Sequence, residues 1–64
     1  MDGKQGHVND DGQYIGASWE TPYGWFADPL GCEIQAIPCG SLTDAIDTIK
    51  RLGIPNPNHP QNWH

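Results

Sequence analysis

Between Ser41 and Pro55 the apolar positions recur with the period of an α-helix. Leu42, Ala45, Ile46, Ile49 and Leu52 fall on one side, and Thr43, Asp44, Asp47, Thr48, Lys50 and Arg51 on the other. The ends of this stretch carry their own signals. Ser41 is an N-cap residue, and Asp44 stands at the third helical position, where it can reach back in a short capping box. Acids occupy the first half and bases the last turn, the order favoured by the helix dipole. Past the end, the pattern predicts Gly53 in a left-handed conformation, Ile54 in contact with Ile49, and Pro55 blocking further turns. The helix is expected over about Leu42 to Leu52.

Upstream the period changes to two. Gln13 to Thr21 places Ile15, Ala17, Trp19 and Thr21 on one side of an extended segment, the first predicted strand. Thr21-Pro22-Tyr23-Gly24 reverses the chain into a short second strand, Trp25 to Asp28. Asp28-Pro29-Leu30-Gly31 then fits a type I turn closed by a glycine with positive φ, and predicts a hairpin from Gly24 to Pro38. In that register Asp28 pairs with Cys32 and Phe26 with Ile34. Phe26, Cys32, Ile34 and Ala36 would share the core face, leaving Trp25, Ala27, Glu33, Gln35 and Ile37 on the other.

The flanks are polar. Residues 1–12 hold Gly, Asp, Asn and Gln around a single apolar Val8, too little to offset the entropy of ordering, so a flexible arm is expected there. Residues 55–64 hold Pro55, Pro57 and Pro60, which exclude helix and favour an extended tail; either it folds back with Trp63 plugging the core, the favoured reading, or it projects as a docking peptide. The expected architecture is α+β: a three-stranded antiparallel meander packed against one C-terminal amphipathic helix (βββα), forming a single domain over 13–54. Nothing in the sequence covers the second face of that sheet, which should meet solvent, a second copy in a homodimer, or a target.

Length and charge narrow the function. A single core in 64 residues rarely supplies more than about 3–5 kcal/mol, which disfavours a self-sufficient enzyme. The net charge is −5 and uneven: residues 1–33 carry six carboxylates against Lys4 alone, whereas in residues 34–64 Asp44 and Asp47 balance Lys50 and Arg51. Such a field repels nucleic acid and anionic lipid and attracts basic protein surfaces. There is no apolar run of membrane-spanning length and no hydrophobic signal segment, so the expectation is a soluble cytoplasmic chain.

Motifs for chemistry are weak. Cys32, Cys39, His59 and His64 supply the ligand types of a structural zinc site, but an extended C-x6-C segment would hold the thiols roughly 20 Å apart. Two reduced thiols are the expectation, Cys32 in the core and Cys39 in a loop, with no metal or cofactor. A Cys39–His59 nucleophilic pair has nothing to bring it together, and so small a domain offers little room for a pocket of the usual 300 Å³ or more. Asp10 and Asp11 lie in a turn sequence where Asp is expected for turn geometry alone. No phosphate-binding glycine motif occurs, and Lys50-Arg51 is accounted for by the helix end.

What remains is an aromatic and acidic constellation: Tyr14, Trp19, Tyr23, Trp25 and Phe26 interleaved with Glu20, Asp28 and Glu33, and a one-helix sheet can bury only some of these rings. Exposed rings beside carboxylates suit an interface aimed at a basic partner. The sequence therefore suggests a non-enzymatic binding protein that occludes a larger, nucleic-acid-handling partner without touching nucleic acid. Its sharpest version is a phage-encoded anti-CRISPR or similar host-takeover inhibitor acting in the host cytoplasm. The alternative is a small structural component of a virion or multisubunit assembly.

Overall fold

Among the described residues four antiparallel strands and one helix follow one another in chain order: β1 (Gln5–Val8), β2 (Tyr14–Thr21), β3 (Gly24–Pro29), β4 (Ile37–Cys39) and α1 (Leu42–Leu52). They form one sheet in the order β1-β2-β3-β4, with α1 laid across β2, β3 and β4. The computed structural model describes residues 3–34 and 36–62. The α+β class and the single C-terminal helix agree with the sequence reading; the strand count is four rather than three.

The additional strand lies inside the segment expected to be a flexible arm. Its four residues are polar or small and mostly exposed, so no apolar alternation betrays it. Its pairing is imposed by the turn that follows. Asn9 Oδ1 accepts from the backbone N–H of Asp11 (2.9 Å) and of Gln13 (3.0 Å), and Gly12 N–H donates to Asn9 O (3.0 Å). This Asx turn folds β1 back onto β2, pairing Gln5 with Ser18 and His7 with Gly16.

The second correction concerns β4. Asp28-Pro29-Leu30-Gly31 does turn, with Gly31 at φ 75° as expected and Cys32 N–H reaching Pro29 O (3.4 Å). No strand starts at Cys32, however. β3 pairs with Ile37–Cys39 instead, Trp25 opposite Cys39 and Ala27 opposite Ile37. The partners have slipped four residues, an even number, so the expected grouping of Trp25, Ala27 and Ile37 on one face survives. The helix covers the other face from the one expected: Ala27 is fully buried and Trp25 packs on the core, while Phe26 faces away.

Among the described residues four apolar side chains make up the buried core, Ile15, Ala27, Ala45 and Ile49, with Trp25 and Cys39 packed at its edge. Ile15 reaches it because a bulge at His7/Val8 leaves it unpaired between Tyr14 and Gly16, removing it from the face it was expected to share with Trp19. Cys39 is thus a core-edge thiol in a strand and Cys32 a half-buried loop thiol, the reverse of the expectation; both are free.

The helix itself is as anticipated at its start: Ser41 Oγ accepts from Asp44 N–H at 3.2 Å. Its other end differs. Gly53 is extended (φ −67°, ψ 134°), its N–H bonding Ile49 O, and Ile54 leaves the helix to pack on Gly31, with its N–H on Leu30 O (2.7 Å). Residues 56–62 do not run extended. Successive turns, His59 N–H to Asn56 O and Asn62 N–H to His59 O, coil them against the sheet. The plug expected of Trp63 lies outside the described residues; within them Asn62, itself buried, holds the tail, accepting from Tyr14 N–H (2.8 Å) and donating to Asn56 O (2.9 Å).

Candidate functional site

The register fixes what the face opposite α1 displays. Ser18 and Ala27 point at the helix, so their neighbours Ala17, Trp19, Phe26 and Asp28 point away from it. Trp19 and Phe26 are direct cross-strand partners and stack, with ring centroids 6.0 Å apart and planes 23° from parallel. Pro38 continues this row on β4. On the β1 side Lys4 completes it, its Nζ lying 4.8 Å from the centroid of the Trp19 ring, within cation–π range.

One row along, Gly6, Ala17 and Asp28 follow one another across β1, β2 and β3. Beyond them stands Tyr14, whose ring lies over Gly6 and stacks on His59 of the tail at 4.6 Å. Burial, and then the nearby Asp28 carboxylate, push the Tyr14 hydroxyl above its ordinary value of 10.0. Tyr14 and Asp28 also border a small cavity of about 180 Å³ with Leu30 and Cys32. The face therefore presents two aromatic stacks separated by residues with little or no side chain and flanked by one carboxylate.

The seven residues singled out in the sequence are not one patch. Tyr14, Trp19 and Asp28 share this face. Trp25 is excluded, being packed between sheet and helix. Tyr23 stands 95 % exposed at the tip of the β2–β3 turn, which Thr21 Oγ1 braces by accepting from Tyr23 N–H and donating to Gly24 O. Glu20 and Glu33 are exposed, the latter in the connection between β3 and β4. Sequence reasoning missed Lys4, whose place depends on the pairing that the β1 hairpin creates, and misplaced Phe26, because the helix covers the side of the sheet that carries Ala27. The turn sequence Asn9 to Gly12, between Val8 and Tyr14, was the available sign of the first.

The remaining chemistry is sparse. A groove of about 340 Å³, more room than the sequence suggested, opens beside the end of α1, lined by Asn9, Asp10, Ile15, Lys50, Gly53 and Pro55; it contains no thiol, hydroxyl or imidazole. Nearby, the His7 ring hydrogen-bonds the fully buried Ser18 Oγ at 2.8 Å, and burial followed by the Lys50 charge lowers its pKa below 6.5. Cys39 Sγ contacts Ile37 O and Thr48 Oγ1 on the helix side, whereas His59 stacks on Tyr14 on the opposite face. Among the described residues no three His, Cys, Asp or Glu side chains converge on a metal position; His64 lies outside them. Nor is any helix there long and apolar enough to cross a membrane. No family model, curated protein or solved structure matches this chain.

Proposed function

We propose that this chain is a non-enzymatic binding protein that occupies a basic surface on a larger protein partner, its sheet face supplying the contact. The observation that carries this reading is the half-buried aromatic row of Trp19 and Phe26 beside Asp28 on the sheet face opposite the helix, in a half of the chain with a net charge of −5. Aromatic rings give contact area at small entropic cost, and unpaired carboxylates steer encounter with basic ground. Among the described residues the one ion pair between side chains is Asp47–Arg51 on the helix surface, and Glu20, Asp28 and Glu33 have no counter-ion among those residues. A partner that handles nucleic acid suits this charge best, because its phosphate-binding lysines and arginines would be competed for; steric inhibition of such a machine, an anti-CRISPR activity being the sharpest form, needs complementarity and no reaction.

The test is capture followed by competition. A partner isolated on the immobilised chain should lose its nucleic-acid binding as the chain is added, and Glu20→Lys, Asp28→Lys and Glu33→Lys should each weaken capture, increasingly so in combination. Capture that ignores the whole series removes the electrostatic basis of the proposal. A second reading, a structural subunit of a larger assembly, draws on the β1 edge, whose four residues carry no proline and no carboxylate to discourage strand addition. Light scattering separates the two: a folded monomer favours the binder, and obligate multimers favour the subunit.

A further inference from the structure

We infer that the Trp19 ring and the Asp28 carboxylate form a receptor for a cationic side chain, an arginine or lysine of the partner, and that Lys4 is the intramolecular stand-in for it. The inference rests on the binding role proposed above and names the chemistry of its central contact. Three observations converge. Lys4 Nζ already lies over the Trp19 ring at 4.8 Å, so the exposed part of that ring faces a cation in the free protein. Phe26 stacks against Trp19 from β3 and holds the indole in place. On the adjoining row Ala17, opposite Asp28, offers only a methyl group, so an incoming aliphatic stem can cross the sheet there with its charge toward the carboxylate.

Charge complementarity selects this occupant over a second copy of the chain. Two such faces, each belonging to a molecule of net charge −5, repel, whereas a basic side chain gains the ring quadrupole and the carboxylate together. Lys4 is exposed, one residue before the edge strand, and among the described residues no hydrogen bond or ion pair holds its ammonium, so displacement costs one surface cation–π contact, about 0.5–1 kcal/mol. Removing it should therefore tighten binding of a competing cation by about two- to fivefold.

The experiment titrates the full chain with a short oligo-arginine peptide, using an oligo-glutamate peptide of equal length as control, and follows the assigned indole N–H resonances by NMR. The Trp19 resonance should shift saturably with the arginine peptide alone; Lys4→Gln should tighten the Kd about two- to fivefold, and Asp28→Asn and Trp19→Leu should weaken it. Retained amide dispersion verifies that each variant is folded, and the surface change Lys4→Gln keeps the test decisive if Trp19→Leu is not. Saturable binding that leaves Trp19 unmoved and is indifferent to Lys4→Gln overturns the receptor while sparing the broader acidic-binder reading. Absence of any saturable binding overturns both.

Discussion

Gly16 and Gly53 are the positions at which a single methyl group does most damage, and neither owes this to a turn. Gly16 sits within β2 at φ 147°, and a Cβ there would lie 2.6 Å from Asp28 O and 3.1 Å from Ile49 Cγ2, between the neighbouring strand and the helix. Gly53 has an ordinary φ, yet its Cβ would collide with Ile15 O where the chain leaves the helix under β2. Gly16→Ala is expected to destabilise by on the order of 1–3 kcal/mol or more, read as a lowered urea midpoint. Ala36 is the opposite case. It holds φ 56°, exposed, at a cost of about 1–2 kcal/mol for a residue with a Cβ, against about 0.4–1 kcal/mol of extra unfolded-state entropy for glycine. Ala36→Gly should thus raise stability by up to about 1 kcal/mol in the same measurement.

Among elements, the helix is locally encoded and the tail is held from a distance. Ser41→Ala removes the acceptor of Asp44 N–H and should cost about 0.5–2 kcal/mol, with Ser41→Asp restoring most of it. The tail depends on Asn62, which bridges Tyr14 N–H and Asn56 O across 48 residues of sequence on one side and six on the other. Asn62→Ala leaves Tyr14 N–H without that acceptor, so limited proteolysis should cut between residues 55 and 62 much faster in the variant while the sheet amides keep their exchange protection. Loss of sheet protection at the same rate would mean that tail and sheet unfold as one unit. The helix could be placed to the residue from sequence because cap, period and charge order agree within eleven positions. The tail could not, since three prolines restrict φ without saying which distant acceptor ends their path.

For the molecule as a whole, the margin is small. Two of the four core side chains are alanines, so Ile49 supplies much of the burial, and Ile49→Ala is expected to cost about 2–5 kcal/mol against a total of about 3–5. That variant should be largely unfolded by circular dichroism, whereas Ile49→Val should fold. Acid acts on the same margin through His7. Its native pKa is below the unfolded value of 6.5, so between the two the unfolded chain holds a proton that the native chain does not. Unfolding there takes up a proton, and stability falls as pH drops below about 6.5 and levels off beneath the native pKa. Denaturation midpoints from pH 7.5 to 5 should show this fall in the parent chain and a smaller one in His7→Gln, whose longer amide can reach the position of the ring Nε2 that bonds Ser18 Oγ.

By itself the sequence determined the features whose causes lie within a few residues: the capped helix, the turns at Asn9–Gly12 and Asp28–Gly31, strand character from Tyr14 to Thr21, and which residues of β3 share a face. Tertiary structure decided the rest. It recruited polar Gln5–Val8 as an edge strand, moved the β3 partner from Cys32–Ile37 to Ile37–Cys39, and put the helix on the side of Ala27 rather than Phe26. The reason is physical. Alternation tells that a strand has two faces, but which face is buried depends on the fit of the helix. Ala27 and Gly16 leave room for Ile49 to approach closely, and the larger Trp19 and Phe26 are left as the aromatic surface of the opposite face.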